Sequence, residues 1–544
     1  MPPPPKSPWR PLRYPLLRSL WIASVASNVG TWLQSVGASW LMTTLTPSST
    51  QVALVQVATS LPMFLLALPS GALADVMDRR RLLVVTQGWM LASAAGLALI
   101  SALGGVTPGL LLLFTFLLGL GTAFNGPAWQ AILPELVPRE ELPEAIVLNS
   151  VGFNIARAAG PALGGLIVAA AGPSATFALN AVSFLGVLVV LWRWKRPVEE
   201  SVLPAERFLG AMQTGVRYVR HAPELIAVLW RGSAFVFCGS ALWALLPVVA
   251  RVELQRGPGA YGLLLGLLGV GAVAAAFVLP RLKRNNSTDL VVIVATLVFA
   301  GGMLALAFLR SFPLVLFAML LSGGAWLSAL SSMNVAFQTS LPAWVRARAL
   351  SVYLLTFYAG LSAGSALWGL LADHFGLRAS LVAAAATTVV ALLATARFHL
   401  RSGEGLNLSP SRQWPAPIVT HEPEPDRGPV LVHVEYEVDP AQAEEWSAAM
   451  REMRRSRLRD GAYEWSLFSD ANRPNHHVEQ YLVSSWIEHL RQHERETVAD
   501  RELKRRIRTF QTEPGPPKVR YLIAERPGDA PPVAPPSGGV SGAD

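Results

Sequence analysis

The sequence predicts an all-α membrane protein of twelve transmembrane helices in two six-helix halves, followed by a small α+β domain. Two observations carry this. Hydrophobic residues make up 52% of the 544 residues and charged residues 15%, where a soluble chain carries about 25% charge. The charge is also split. Residues 1–400 hold 26 Lys/Arg against 13 Asp/Glu, a net of +13, and residues 401–544 hold 19 against 23, a net of −4. The first part is apolar and basic, and the second has the composition of a soluble domain. The basic excess lies between apolar runs and not on a polar face, which argues against a nucleic-acid partner. Cys238 is the single cysteine, so neither a disulfide framework nor a cysteine zinc site is expected.

About 20 apolar residues span the bilayer core. That window finds runs at 17–44, 51–74, 82–104, 108–134, 144–171, 175–195, 224–250, 259–280, 288–309, 313–341, 344–372 and 377–398. Sheet-type alternation is absent from them, which excludes a β-barrel. The first run is too long for a cleavable signal peptide, and further spans follow it directly. Loops after even-numbered spans carry Arg79, Arg80 and Arg81, Arg139, Lys195 and Arg196, Arg281, Lys283 and Arg284, Arg346 and Arg348, and Arg397 and Arg401. The first three loops after odd-numbered spans carry no charge. The positive-inside rule then places both termini and the 196–222 linker in the cytoplasm.

Six spans resemble the other six. Gln130-Ala-Ile-Leu-Pro134 ends span 4, and Gln338-Thr-Ser-Leu-Pro342 ends span 10. Gly160, Gly165 and Gly172 in span 5 are matched by Gly364, Gly369 and Gly376 in span 11, at a constant offset of 204. A parallel repeat with a substrate site between its halves is a common plan of secondary transporters. The expected organisation is a first half over 1–195, a linker over 196–222, a second half over 223–400, a linker over 401–429, a folded domain over 430–525 and a disordered tail over 526–544. In the first linker Phe208, Met212, Val216 and Val219 fall at helical spacing beside Arg207, Arg217 and Arg220. This predicts an amphipathic helix on the membrane surface.

Three sets of residues carry candidate function. After span 2 comes Gly71-Ala-Leu-Ala-Asp75-Val-Met-Asp78-Arg79-Arg80-Arg81. Span 5 holds Asn154 and Arg157, then Gly160-Pro161-Ala-Leu-Gly164-Gly165, a smooth and bendable helix face. Arg157 is near mid-span, where a charge costs at least about 2.5–3.5 kcal/mol and so faces the bundle interior or water. Asn154 lies one turn away on the same face. The pair can bind a carboxylate, catecholate or phosphate. Arg231, near the start of span 7, is expected to snorkel. Spans 1, 4, 7 and 10 offer Asn28, Trp32, Gln34, Asn125, Gln130, Trp243, Asn334 and Gln338. Amides and aromatics suit an amphipathic organic substrate.

The loop after span 2 resembles the signature of the major facilitator superfamily, with Val76 and Asp78 departing from its usual basic residue and glycine. The resemblance implies that Gly71 permits close helix approach and that Asp75, Arg79 and Arg80 form a gate. The Gly160–Gly165 stretch resembles the exporter motif of that superfamily. Asn28-Val-Gly-Thr-Trp32-Leu-Gln34 and Asn154-x-x-Arg157 resemble the bacterial branch of enterobactin-exporter-like transmembrane secretion effectors. Residues 430–525 read strand, helix, strand, strand, helix, strand, the ferredoxin-like order. That tail resembles the dimeric α/β-barrel family of antibiotic-biosynthesis monooxygenases, which implies self-association. The expected function is ion-gradient-driven export of a siderophore or drug-like molecule by alternating access. Protons are a candidate coupling ion, although span 4 lacks the arginine of the family's proton-coupling motif. A membrane-anchored monooxygenase and a non-transporting sensor are the alternatives. The sequence has no Walker-type phosphate loop. No cofactor is expected, and His476, His477, His489 and His493 are not expected to hold a metal.

Overall fold

The computed structural model describes residues 9–194, 208–342, 344–396, 398, 423–512, 515 and 517–525. They divide into two compact units. The first takes the described residues of Met1–Val216, Pro223–Leu341 and Val345–Glu404, and the second those of Arg217–Ala222, Pro342–Trp344 and Gly405–Asp544.

The first unit is built of long helices. The first half has α1 (Pro15–Leu45), α2 (Ser49–Val76), α3 (Arg79–Ala102), α4 (Pro108–Leu136), α5 (Leu142–Ala171) and α6 (Pro173–Arg193). After the linker helix α7 (Phe208–Arg220), the second half has α8 (Pro223–Val248), α9 (Pro258–Asn285), α10 (Thr288–Phe308), α11 (Phe312–Thr339), α12 (Arg346–Phe375) and α13 (Leu377–Thr395). Among the described residues eleven helices are long and apolar enough to cross a membrane; α1, 31 residues long, is the twelfth in the repeat. Their outward faces carry large apolar side chains such as Trp192, Phe277 and Leu393, as a lipid-facing surface requires.

Local chemistry sets the helix ends. Ser48, Asp78, Thr107 and Ser287 each accept a backbone N–H at the start of α2, α3, α4 and α10. One residue, Gly172, joins α5 to α6 at φ +79°, and Gly376 joins α12 to α13 at φ +89°. Only glycine takes that conformation without strain. The two are among the glycine pairs offset by 204.

The two halves pack alike. In the first, α1 lies against α5 and α6, α2 against α4, and α3 against α6; in the second, α8 lies against α12 and α13, α9 against α11, and α10 against α13. Between halves, α2 runs along α12 and α5 along α9.

Those two seams are tight at one end. A Cβ on Gly165 would lie 2.6 Å from the Pro258 carbonyl oxygen and 2.8 Å from Gly262 Cα. One on Gly369 would lie 2.6 Å from the Ala53 side chain. Gly165 and Gly369 are in the last turns of α5 and α12, the end away from the Arg79–Arg81 loop. At the basic end the packing is open. Among the described residues, no atom lies within 4 Å of where a Cβ on Gly71 or Gly126 would sit. Among the described residues, Gly71 has no close neighbour in this conformation. The tightest backbone contacts between the halves lie at the far end.

The second unit contains β1 (Val430–Glu437), α14 (Ala443–Asp460), β2 (Glu464–Ser469), β3 (His476–Val483), α15 (Trp486–Arg495), α16 (Val498–Arg508) and β4 (Lys518–Ile523). The sheet is antiparallel in the order β2-β3-β1-β4. Its core joins Val430, Val432, Val434 and Tyr436 to Trp446, Met450, Met453, Trp486 and Ile507. Thr497 and Asp500 form a reciprocal cap that restarts the chain as α16. In the last turn of the linker, Tyr218 and Val219 are buried, and Tyr218 meets Trp344 edge-on at 5.6 Å. Val219 was expected on a lipid surface. It packs against protein, because this turn belongs to the second unit. The side chains of Phe208 and Met212, and residues 195–207, 399–422 and 526–544, lie outside the described residues.

Candidate functional site between the helical halves

The basic loop holds the first half together. Arg79 donates to the Ala131 carbonyl at 3.0 Å and to Glu135 at 2.8 Å, tying the start of α3 to the end of α4. Arg80 donates to the carbonyls of Leu191 and Trp192, both at 2.8 Å. These are unpaired acceptors at the C-terminus of α6, where a cation also complements the helix dipole. The side chain of Asp75 lies outside the described residues.

On α5 the glycines do two jobs. Gly160 and Gly164 fit under Trp32 and Val36 of α1, within the same half. Gly165 and the Pro161 carbonyl meet Gly262 of α9, across the halves. The contact continues to Arg157, whose carbonyl oxygen would be 2.7 Å from a Cβ on Gly269. Ser150, Asn154 and Arg157 follow one another at spacings of four and three, along one side of α5 between its α1-facing and α9-facing sides. The Asn154 amide donates to the Ser150 carbonyl at 2.8 Å. Arg157 is half-buried. Among the described residues, no hydrogen bond or ion pair engages its guanidinium. A cation so placed beside the seam between halves is available to a ligand with anionic or carbonyl oxygens.

The remaining predicted residues separate into two groups. Asn28, Trp32, Asn334 and Gln338 are half-buried and Gln130 is exposed. Gln338 donates to Asn334 at 2.8 Å on one face of α11. Gln34 and Asn125 are engaged inside the first half. Asn180 of α6 donates to Gln34 at 3.4 Å, and Gln87 of α3 donates to Asn125 at 3.1 Å. They are interhelical links of the kind small amides make in apolar bundles. Trp243 packs 5.7 Å from Trp326 within the second half.

Arg231 corrects its expectation. Its side chain is 3% exposed and pairs with Asp289 at the start of α10. It does not reach the interface, because a carboxylate inside the bundle meets it first. Glu253 and Arg310 pair with each other across two far-end loops, which leaves Arg251 and Arg256 as the excess charge there.

The tail concentrates its polar groups behind the sheet. Glu479 is fully buried and accepts from Arg457 at 3.1 and 3.3 Å, Trp465 at 2.9 Å and Tyr436 at 3.0 Å. Against the cost of its burial, the Arg457 charge and these donors hold its carboxyl below the usual range. His489 is 1% exposed, with its ring 5.3 Å from Trp486, 4.8 Å from Tyr521 and 4.6 Å from His493. Burial, reinforced by nearby positive charge, pushes His489 down to about 4 and His493 to about 3. Both rings are neutral at pH 7. Among the described residues no three His, Cys, Asp or Glu side chains converge to hold a metal.

The sign of the pH effect follows. An unfolded histidine takes up its proton near pH 6.5, and these two do so only well below that. Between about pH 6 and 4 the unfolded tail binds more protons than the folded one, so its stability falls as pH falls. Hydrogen exchange of α15 and β4 in the intact protein is expected to accelerate over that window. In a His489→Phe/His493→Phe variant the acceleration is expected to be smaller.

Two six-helix halves related by a parallel repeat, joined along two small-residue seams, define a secondary transporter of the major facilitator class. The comparisons with known proteins agree. Residues 6–528 match the family model described as transmembrane secretion effector, and the chain belongs to that family. It is 23% identical to the Staphyloferrin A transporter of Staphylococcus aureus, over 64% of this chain and 87% of that one. It is 27% identical to the multidrug efflux pump Tap of Mycolicibacterium fortuitum, over 68% and 92%. It is also 27% identical to the enterobactin exporter EntS of Salmonella typhi, over 65% and 85%. Among solved structures, a bacterial homolog of the lysosomal transporter Spinster, inward-facing and unoccupied, superposes with a TM-score of 0.58 at 15% identity, covering 72% of this chain and 98% of that one. An inward-facing bacterial homologue of ferroportin gives 0.57 at 16%, covering 70% and 98%. These likenesses support the fold. The chain is a multi-pass membrane transporter of small molecules.

Proposed function

We propose that the chain exports a small amphipathic molecule rich in anionic or carbonyl oxygens, of the siderophore or drug-like class. Transport runs by alternating access across a bacterial inner membrane. The observation that carries this is the Arg157 guanidinium, half-buried beside the seam between halves and without a partner among the described residues. The named activities of the relatives, staphyloferrin A transport, enterobactin export and multidrug efflux, supply the substrate class. The basic loops and both termini face the cytoplasm, so this conformation is open inward, and Asp75, Arg79 and Arg80 close that end when the halves rock. An ion gradient drives the cycle, with protons as the coupling ion.

The tail is read as a non-catalytic cytoplasmic module that self-associates. One sheet face buries the core. The other presents Leu431, Val478, Leu482, Phe468 and Leu522 among His433, Glu435 and Arg520, a mixed surface that suits a second copy.

Flux into inverted membrane vesicles tests the reading. A proton gradient is imposed and a panel of siderophores and lipophilic drugs is offered to wild type, Arg157→Ala and Asp75→Asn. Wild type is expected to accumulate at least one compound, and dissipating the gradient is expected to stop it. Wild-type vesicles that accumulate nothing, with tail protein that oxidises or binds a ligand, would move the function to residues 430–525.

A further inference from the structure

The far ends of the two halves are not held by apolar packing alone. Asp373 sits in the last turn of α12, and its carboxylate reaches the first turn of α2, in the other half. The Ser48 hydroxyl donates to it at 2.6 Å and the Thr50 backbone N–H at 3.1 Å, and the Ser49 backbone N–H donates as well. The first turn of a helix has backbone N–H groups without intrahelical acceptors, and its positive dipole end favours an anion. Ser48 satisfies one such group itself, that of Gln51 at 3.2 Å. Asp373 takes two more. The cap of α2 is therefore completed by a residue from the opposite half, and it exists only while the far ends are together.

The same seam continues inward. Gly369 meets Ala53, and the hydroxyls of Ser60 and Ser362 lie 2.7 Å apart, both buried. The pseudo-symmetric seam is built differently. At the offset of 204, Ala169 stands where Asp373 does, and α5 meets α9 through the backbones of Gly165, Gly262 and Pro258. One seam carries directional, charge-assisted bonds, and the other carries glycine packing.

We propose that Asp373 is a positioning residue of the transport cycle: a latch that holds the far end shut and must release before the protein opens outward. This rests on the alternating-access reading above. Hydrogen bonds act over tenths of an ångström, so rocking the halves apart breaks all three contacts together. Packing on the Gly165 seam yields gradually. The α2–α12 seam is then the one that sets how often the far end opens. The Ser48→Ala variant removes one of three donors and leaves the two backbone N–H groups. It is expected to have a smaller effect than Asp373→Ala.

Site-specific labelling of the full chain tests the latch. Cys238→Ser provides a cysteine-free background. Ser60→Cys reports the far-end seam, labelled in intact cells with a membrane-impermeant maleimide. Gly126→Cys reports the opposite end, labelled in inverted vesicles. Asp373→Ala is expected to raise Ser60→Cys labelling roughly 2- to 30-fold, the range for loss of a helix cap, and to lower Gly126→Cys labelling. Asp373→Asn, which keeps one acceptor oxygen, falls between. Unchanged labelling at both sites in Asp373→Ala overturns the proposal, and so does a rise at both, since that marks a loosened fold. Should Asp373→Ala fail to reach the membrane, Asp373→Asn and Ser48→Ala carry the same comparison. A reciprocal labelling shift without flux of any compound would keep the latch and remove the export reading. Intact flux with unmoved labelling would do the reverse.

Discussion

Replacing Gly165 with valine is expected to cut transport at least about fivefold while leaving the protein folded in the membrane. The reason lies in what surrounds the missing side chain. A Cβ there would be 2.6 Å from the Pro258 carbonyl and 2.8 Å from Gly262 Cα. Both are backbone atoms, so no rotamer change relieves the clash. Helix α9 must move away, and α9 belongs to the other half. Overpacking of this kind costs about 1–3 kcal/mol and occasionally more, which is roughly a 5- to 150-fold shift of a conformational equilibrium. The cost falls only on the conformation whose far end is shut. Outward-open molecules therefore accumulate and flux falls at least about fivefold, by the same conversion. Flux in inverted vesicles, with impermeant labelling of a far-end cysteine in cells, measures both effects. Two other glycines bracket the result. Gly160→Val would strike Trp32 within the same half and is expected to lower the amount of folded protein. Gly186 has open space around it, and Gly186→Val is expected to transport normally. Wild-type flux in Gly165→Val would mean that the far end need not close as tightly as this conformation shows.

The glycine argument also marks how far the sequence could be read. Hydropathy located the helices because insertion depends on the summed transfer energy of about twenty residues, a large signal. The repeat was legible because Gly172 and Gly376 must both adopt positive φ at one-residue joints, and Gly165 and Gly369 must both admit a neighbouring backbone. Rotation about each helix axis was not legible. Gln34 and Asn125 are amides on α1 and α4, and nothing along the chain says whether such an amide faces the other half or its own. Their partners, Asn180 and Gln87, are distant in sequence or on another helix. Arg231 was misread for the same reason, since Asp289 lies 58 residues away. Asp373 is not marked by the sequence at all, because a cap supplied from 323 residues away leaves no local pattern. In the tail the sheet alternation and the helical periods were clear. The break at Thr497 falls inside a segment that reads as one helix, and the structure shows its signal to be the capping pair Thr497 and Asp500.

Arg157→Ala carries the other large expected effect. An unpaired guanidinium among apolar helices costs at least about 2.5–3.5 kcal/mol, so its retention needs a return elsewhere. A structural role would show the guanidinium on backbone carbonyls or a carboxylate. Arg79, Arg80 and Arg231 each show such partners, and Arg157 shows none among the described residues. On the proposed function, the return comes from a ligand present during part of the cycle. Removing one side of a desolvated, hydrogen-bonded charge pair costs about 2–5 kcal/mol, so the substrate's apparent affinity should weaken roughly 30-fold or more by the same measure. Arg157→Lys keeps the charge and loses the planar fork that engages two oxygens at once. It is expected to recover part of the loss for a monoanion and little for a chelating catecholate or carboxylate pair. The helix itself should tolerate either change, since alanine is the best helix former and no hydrogen bond or ion pair of the side chain among the described residues is lost. Concentration-dependent flux of the three proteins, at matched amounts in the membrane, gives the test. A half-saturating concentration unchanged in Arg157→Ala would take the residue out of substrate binding. If the maximal rate alone fell, the guanidinium would act on the rocking of α5 against α9, where its carbonyl meets Gly269.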